Sequence, residues 1–252
     1  MIDIHTHILP HFDDGAKDTE IAKEMLQAEL AQGTKTLVFT SHYYGRKHSP
    51  ARYVEQRNEI FEKLKQHLPE GMEYRLGAEV HFTGINVPDY DELCKLAIDG
   101  TKYILVEFPF TSKWTWELLD KLADFIYDTG YTPIIAHVER YKEVMEKPSL
   151  ATELVEMGCL LQVNAESFLD KGTKGLAFAL LKHGYVHCIG SDTHDMEMRN
   201  PGVLQEAKAA LEKEGFADEW ARAQEIMSHV LADEKVAVPV GKPIKKFLGK
   251  YF

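Results

Sequence analysis

The sequence predicts an α/β protein in which seven parallel strands close into a (β/α) barrel. Short, continuously apolar runs alternate with helical segments, which is typical of parallel strands covered by helices on both faces. Polar side chains of the metal-ligand type stand at the carboxyl end of nearly every apolar run. A barrel builds its functional site from all of its strand ends, whereas an open sheet uses one or two. The distribution of these side chains therefore favours the barrel.

The strands are predicted from the apolar runs, four of which follow a glycine. Gly33, Gly130, Gly158 and Gly184 each stand where a helix ends, and glycine adopts the left-handed conformation that turns the chain toward the next strand. The seven runs are 1–7, 36–42, 74–80, 103–108, 132–140, 159–166 and 186–194.

The helices are predicted from apolar spacing between these runs. In residues 19–32, Ile21, Met25 and Ala28 recur at helical spacing, with Asp18 or Thr19 as the N-cap. The other predicted helices are about 51–67, 115–129, 149–157, 173–183, 202–214 and 217–231. The chain shows no linker, so we expect a single barrel domain over 1–234 and a basic tail over 235–252.

The amino-acid composition argues against one class of function. Asp and Glu number 40 against 29 Lys and Arg, giving a net charge of −11 over 252 residues. That balance argues against a nucleic-acid binder, which needs a positive surface. It does not exclude a small anionic substrate where metal ions supply local positive charge.

The tail, residues 235–252, differs in charge from the rest of the chain, because it holds five lysines and no acidic residue. We expect a solvated tail with one packing strand or turn, and at most a peripheral contact with anionic lipid or a partner.

The cysteines and the amino terminus predict a cytoplasmic location. Three cysteines without a C-x-x-C pair suit a reducing compartment. The first residues lack the basic and apolar regions of a signal peptide, and no run is long enough to span a membrane. The cysteines also lack the C-x5-R pattern of thiol-based tyrosine phosphatases, since the sixth positions after them are not Arg. Those positions are Gly100, Ala165 and His194.

Histidines and carboxylates at the strand ends predict a metal centre. His5 and His7 share one face of a strand, and Asp192 and His194 repeat that spacing at the last strand. Glu79 and Glu107 lie within apolar runs, where an unpaired carboxylate is costly. Five imidazoles and about four carboxylates without thiolate suit two or three divalent ions, such as Mn, Fe or Zn, with Glu107 as a bridge.

Such a centre suits metal-assisted hydrolysis of a phosphate ester. An amidohydrolase would use similar ligands, although no strand end carries the lysine that often bridges its metals. A non-catalytic module that binds metal or a kinase is the alternative outside the enzymes. These ligands alone leave the reaction open.

An ordered set of motifs resembles one family. The motifs are MIDIHTHILPHFDDGA, TSHYY, GAEVHFT, ILVEFPF, IIAHVERY, LQVNAES and GSDTH. Over about residues 1–232 the chain resembles the polymerase and histidinol phosphatase superfamily, specifically its bacterial tyrosine-protein phosphatases of capsule and exopolysaccharide synthesis. The resemblance implies a distorted, TIM-like barrel of seven strands and a site with three divalent metals, usually Mn, with Fe, Zn or Mg as alternatives. It implies metal ligands at His5, His7, Asp14, His42, Glu79, Glu107, His137, Asp192 and His194.

The resemblance also implies a reaction and a partner. Water activated by metal would hydrolyse phosphotyrosine in a protein, expected to be the tail of a bacterial tyrosine kinase. Arg140 and Arg199 match arginines that hold phosphate, and with Glu107 they are the expected catalytic residues. A phosphatase for histidinol phosphate or another small ester is the rival within the superfamily. The sequence does not give the oligomeric state.

Two histidines depart from the family pattern. His11 stands where the family has a small residue, and we expect it to be a loop residue. His81 replaces an aromatic side chain after the Glu79 strand. If that side chain frames the substrate ring, another must do so here. The candidates are Tyr43, Tyr44, Trp114 and Trp116.

Overall fold

A computed structural model describes residues 1–83, 89–111 and 113–252. It confirms a parallel α/β fold, and every predicted apolar run contains strand. The strands are β1 Ile2–Thr6, β2 Thr36–Phe39, β3 His42–Tyr43, β4 Glu73–Leu76, β5 Glu79–His81, β6 Tyr103–Glu107, β7 Thr132–Ile135, β8 Leu160–Asn164 and β9 Cys188–Gly190.

The strands form two parallel sheets rather than one continuous sheet of seven strands. One sheet has the order β1-β2-β4 and the other the order β3-β5-β6-β7-β8-β9. The predicted runs 36–42 and 74–80 each divide into two strands, because the chain steps from one sheet to the other at Thr40–Ser41 and Gly77–Ala78. The curled six-stranded sheet is consistent with a TIM-like barrel, and Thr6 makes a parallel bridge with Thr193 beyond β9.

All seven predicted helices are present, with ends that differ by a few residues at most. Asp18 caps the first, since its side chain accepts a hydrogen bond from the Ile21 amide at 2.9 Å. The helices are α1 Thr19–Ala31, α2 Pro50–Leu64, α3 Tyr90–Cys94, α4 Trp116–Thr129, α5 Lys142–Glu146, α6 Leu150–Glu156, α7 Lys174–Lys182, α8 Val203–Lys213 and α9 Ala217–Leu231. Helices α3 and α5 were not predicted, because each has five residues and is too short to show a helical period.

The strands contribute to one buried cluster. Ile4, Val38, Leu105, Ile134 and Leu160 come from five different strands, and each is at most 1% exposed. Burying an aliphatic side chain of this size stabilises the fold by roughly 1.5–3 kcal/mol. The cluster holds the strands rigidly below their polar carboxyl ends.

The C-terminal segment ends in a small hairpin. Strands β10 Lys246–Phe247 and β11 Lys250–Tyr251 pair antiparallel, and Ile244 before them is buried in the main core. The segment thus contains the packed turn expected within the tail. The domain boundary at 234 stays a prediction. In the described part of the chain, no helix is both long and apolar enough to cross a membrane.

Candidate active site

His5 in β1 and His7 just after it point their ring nitrogens at each other. His5 and His7 are fully buried, and their Nε2 atoms lie 3.0 Å apart. The other nitrogen of each ring is already engaged: His5 Nδ1 contacts Gln162 Oε1 at 3.2 Å, and His7 Nδ1 contacts Asp13 Oδ2 at 2.7 Å. Such outer contacts fix the ring orientation of metal-binding histidines. Both Nε2 atoms are thereby aimed at one point.

Glu79 lies at the centre of the site. Its Oε1 is 2.8 Å from His137 Nε2, and its Oε2 is 2.8 Å from His42 Nδ1. The same Oε2 is 3.3 Å from Nε2 of both His5 and His7. Burial alone would raise the pKa of Glu79, but the surrounding imidazoles hold it well below its usual value. Glu79 is therefore a carboxylate shared among four imidazoles.

The chain after β9 completes the site. Asp192 Oδ1 lies 3.5 Å from the Nε2 atoms of His5 and His7. His194 Nδ1 contacts the carbonyl of Asp192 at 2.8 Å, and its Nε2 faces Asp14 Oδ1 at 3.5 Å. The Asp14 side chain is 63% exposed, so this end of the site opens to solvent.

Eight of the nine predicted ligands fall into three groups, within each of which the candidate ligand atoms lie within 4.8 Å of one another. The ninth, His137, is next to the third group, with Nε2 3.7 Å from Glu107 Oε1. The groups are His7, Asp14, His42 and His194; His5, His7 and Asp192; and His42, Glu79 and Glu107. The structure thus brings all nine residues together, and their role as ligands stays a prediction.

Unsatisfied polar atoms test whether these groups fit metal ions. His42 Nδ1, Glu79 Oε2 and His194 Nε2 are buried and make no hydrogen bond of acceptable geometry within residues 1–83, 89–111 and 113–252, although His42 Nδ1 and Glu79 Oε2 lie 2.8 Å apart. Buried polar atoms are rarely left this way, because desolvation without compensation is costly. Nitrogen and carboxylate donors aimed at common points suit divalent transition metals. The residues present therefore fit the metals that the sequence predicts.

Backbone strain occurs at two of these strand ends. His137 has φ 34° and Asp192 has φ 53°, which place both in the left-handed region that non-glycine residues rarely occupy. Strained conformations of this kind cluster at functional sites and cost about 1–3 kcal/mol each. In both cases the residue turns the chain directly after a strand and presents its side chain to the site.

Both predicted arginines reach the rim of the metal groups. Arg140 Nη1 donates to Asp192 Oδ2 at 2.9 Å. Arg199 is farther away, with Nη2 3.7 Å from Asp14 Oδ2 and Nη1 3.8 Å from Asp192 Oδ2. About a third of each arginine side chain is exposed, so both guanidinium groups remain open to a ligand that enters from solvent.

Three residues that were not among the predicted site residues position the ligands. Asp13 accepts a hydrogen bond from the His42 amide at 2.9 Å and contacts His7 Nδ1, so it positions two predicted ligands. Burial opposes its ionisation, but His7 lowers the pKa of Asp13 to about 2. Gln162 contacts His5 and accepts from the His137 amide at 2.8 Å. Asn164 donates to Asp192 Oδ2 at 2.9 Å. The sequence signal for Gln162 and Asn164 was the polar end of the 159–166 run, and that for Asp13 was the Asp-Asp-Gly turn.

The two departures from the family pattern have different surroundings. The side chain of His11 is exposed, and its amide donates to the Ala16 carbonyl, as expected of a loop residue. His81 contacts the site directly, since its Nδ1 lies 3.0 Å from Glu107 Oε2. At the position where an aromatic residue was expected, this chain therefore has a histidine that contacts the predicted ligand Glu107.

Aromatic rings stand on two sides of the site. The Tyr44 ring is 5.4 Å from the rings of both His42 and His81. On the other side, the Phe110 ring is 5.3 Å from His137 and lies under the Arg140 guanidinium at 5.2 Å. Phe110, which the sequence analysis did not single out, is 44% exposed.

The other aromatic candidates lie elsewhere. Tyr43 is buried in the core, and Trp114 packs edge-on against Phe108 and Tyr141. Trp116 is 72% exposed at the start of α4. Tyr44 is thus the one of the four predicted candidates whose ring contacts a predicted ligand in the described part of the chain.

Comparison with known proteins settles the family. Residues 1–229 match the family described as capsular polysaccharide synthesis, CpsB/CapC. The chain belongs to the CpsB/CapC family. This assignment confirms the resemblance stated from the motifs.

Named relatives agree with the family match. The chain is 36% identical over 224 residues to tyrosine-protein phosphatase YwqE of Bacillus subtilis, covering 85% of each chain. It is 31% identical to the putative tyrosine-protein phosphatase CapC of Staphylococcus aureus, covering 82% of this chain and 81% of that protein. A solved structure from work on YwqE and on CpsB of Streptococcus pneumoniae, described as unique metal-dependent tyrosine phosphatases, matches with a TM-score of 0.82 and 31% identity. That match covers 98% of this chain and 100% of the other.

Proposed function

We propose that this protein is a metal-dependent protein-tyrosine phosphatase of capsular polysaccharide synthesis. The observation that carries the proposal is the convergence of five imidazoles and four carboxylates on three adjoining groups. The CpsB/CapC family match and the relatives named tyrosine-protein phosphatases support the reaction. When bound, divalent ions supply the positive charge that activates water and neutralises phosphate oxygens.

The side chains of this protein hold and orient the reacting groups. Glu79 and Glu107 would supply carboxylates that hold the ions together with the surrounding histidines. Arg140 and Arg199 are proposed to bind the phosphate oxygens, because a guanidinium presents paired N–H donors to them. Asp192 holds Arg140 in place through its Oδ2.

The metal is proposed to be Mn²⁺, bound as two or three ions. Three groups of ligand atoms support more than one ion, and donors limited to nitrogen and oxygen support Mn, with Fe, Zn or Mg as alternatives. We also propose that the strands together form the distorted seven-stranded barrel of the superfamily, which the Thr6–Thr193 bridge supports. The proposed location is the cytoplasm.

Catalysis by a cysteine thiolate is disfavoured by the positions of the cysteines. Cys159 and Cys188 are fully buried, and burial raises the pKa of both thiols. Cys94 is partly buried on α3, and burial raises the pKa of its thiol as well. A nucleophilic cysteine needs a lowered pKa and access to substrate.

The proposed substrate is phosphotyrosine in a protein, with the tail of a bacterial tyrosine kinase as the partner. The exposed Phe110 side chain supports an aromatic substrate. Its ring stands beside His137 and under Arg140, so the aromatic ring of a phosphotyrosine whose phosphate is bound by Arg140 would lie next to it. Stacked aromatic pairs contribute about 0.5–1.5 kcal/mol beyond their buried area. Tyr44 supplies a second ring on the opposite side of the site.

Replacing Phe110 with alanine tests the substrate. We expect the Mn²⁺-loaded wild type to hydrolyse a phosphotyrosine peptide with a higher kcat/KM than histidinol phosphate. In Phe110→Ala the kcat/KM for the peptide should fall about 10-fold, because the lost ring contacts contribute about 1.4 kcal/mol. The value for a non-aromatic ester such as glycerol phosphate should change less than about 2-fold.

Trp116→Ala is the matched control, since Trp116 is an exposed aromatic residue without a ring contact to a predicted ligand in the described residues. A preference for histidinol phosphate in the wild type would refute the proposed substrate but leave the metal chemistry intact. Equal losses on all esters in Phe110→Ala would show that Phe110 supports the fold rather than the substrate ring.

A further inference from the structure

The C-terminal hairpin, residues 245–252, separates its side chains onto two faces. Lys246 pairs with Tyr251 and Phe247 with Lys250. The pairing continues one step farther, because Lys245 and Phe252 exchange backbone hydrogen bonds at 2.8 Å. Since alternate residues of a strand share a face, Lys245, Phe247, Lys250 and Phe252 lie on one face and Lys246 and Tyr251 on the other.

The inner face anchors the hairpin to the body of the protein. Tyr251 packs against Gly175, where an added Cβ would lie 3.6 Å from the tyrosine ring. Lys246 Nζ donates to the carbonyl of Met145 at 2.7 Å. Ile244, immediately before the hairpin, is 1% exposed. These contacts hold the hairpin in one orientation against α5 and α7.

The outer face presents apolar and basic side chains to solvent. Phe247 is 68% exposed, Phe252 is 60% exposed, and Leu248 at the turn is 86% exposed. Leu248 and Gly249 both have positive φ, as in the two-residue turns that make tight hairpins. A monomeric protein rarely exposes several large apolar side chains together, so such a patch marks an interaction surface.

The charge of this segment opposes that of the whole chain. Residues 235–252 contain five lysines and no acidic residue, although the chain has a net charge of −11. Lys245 and Lys250 flank the two phenylalanines on the outer face. This arrangement suits an anionic bilayer, in which aromatic side chains enter the interface while lysines stay at the level of the headgroups.

We propose that the outer face of the C-terminal hairpin binds the surface of anionic membranes. The exposed phenylalanines and the Leu248 turn can enter a lipid interface, and the lysines beside them complement anionic headgroups. The hairpin contacts Met145 on α5 and Gly175 on α7, in the segments that follow β7 and β8.

Vesicle binding tests this proposal on the full chain. We expect the wild type to sediment with phosphatidylglycerol vesicles in 0.1 M NaCl and not with phosphatidylcholine vesicles. Lys245→Glu with Lys250→Glu should weaken binding about 30-fold or more, since each lysine contributes about 1 kcal/mol near an anionic surface. Phe247→Ser with Phe252→Ser should weaken it about 10-fold or more. Both double variants should keep wild-type phosphatase activity on a soluble substrate, which shows that they fold.

Matched variants on other surfaces serve as controls. Lys63→Glu with Lys65→Glu makes the same charge change at exposed positions on and beside α2, and Tyr127→Ser removes an aromatic residue that is 89% exposed on α4. Each should change binding less than about 2-fold. Failure of the wild type to bind phosphatidylglycerol would overturn the proposal, as would equal binding by the hairpin variants. Binding to an acidic Glu-Tyr copolymer without binding to vesicles would overturn it too and indicate a protein partner.

Discussion

Replacing Glu79 with glutamine is expected to reduce kcat/KM for phosphotyrosine by about 1000-fold or more. The change keeps the shape of the side chain but removes the charge that four imidazoles share, at distances of 2.8 to 3.3 Å. Loss of a ligand from a shared site lowers the affinity for metal and displaces the remaining ligands. Steady-state kinetics and metal content by mass spectrometry measure the effect, and circular dichroism should show the native fold.

Glu139→Gln is the matched control. Glu139 is as buried as Glu79, and it accepts from the Asn164 amide at 3.0 Å and from Ser167 Oγ at 2.6 Å. Burial raises the pKa of Glu139. Glu139 is in none of the three groups of candidate ligand atoms, so an amide at this position leaves those groups intact. We expect less than about a 10-fold loss of activity. If Glu79→Gln kept wild-type activity and metal content, the central position assigned to Glu79 would be wrong.

Replacing Arg140 with methionine is expected to reduce kcat/KM by about 100- to 1000-fold. Loss of one preorganised donor to a developing charge typically has an effect of this size. Arg140 also contacts Asp192 at 2.9 Å, so the variant must be separated from a defect in metal binding. The distinguishing measurement is the inhibition constant for inorganic phosphate, which should rise while the metal content stays at the wild-type level.

Arg52→Met provides the comparison for this variant. Arg52 is an exposed arginine on α2 that pairs with Glu55 rather than with a predicted ligand, and its loss should leave the kinetics unchanged. Arg140→Lys should recover only part of the activity, because an ammonium group keeps the charge but not the paired donors. A normal phosphate affinity in Arg140→Met would remove Arg140 from the phosphate site.

Much of the fold follows from the sequence because local patterns determine it. Continuous apolar runs locate the strands, and the glycine stops and the Asp18 cap locate helix ends. The division of the 36–42 and 74–80 runs could not be predicted. It depends on hydrogen bonds between distant segments, such as the Thr40 amide to the Thr6 carbonyl and the Gly77 amide to the Phe39 carbonyl. Hydrogen bonds of this kind do not alter the hydrophobic pattern of either segment, so the sequence does not reveal them.

The site is predictable to the extent that strand geometry determines it. The spacing of His5 and His7 requires their side chains to share a face, and parallel strands bring their carboxyl ends together. The residues that orient the ligands are less accessible to this reasoning. Asp13 looks like a turn residue from its Asp-Asp-Gly context, and its contact with His7 depends on how the turn folds back over β1. The exposure of Phe110 beside Arg140 likewise depends on tertiary packing.

The metal requirement of phosphotyrosine hydrolysis tests the central claim most directly. Protein treated with EDTA and transferred to metal-free buffer should release no phosphate above background from a phosphotyrosine peptide. Mn²⁺ should restore the rate, both in the wild type and in a variant with Cys94, Cys159 and Cys188 all changed to serine. Full activity in the metal-free protein, or loss of activity in the cysteine-free variant despite added Mn²⁺ and a native fold, would contradict the metal-based mechanism.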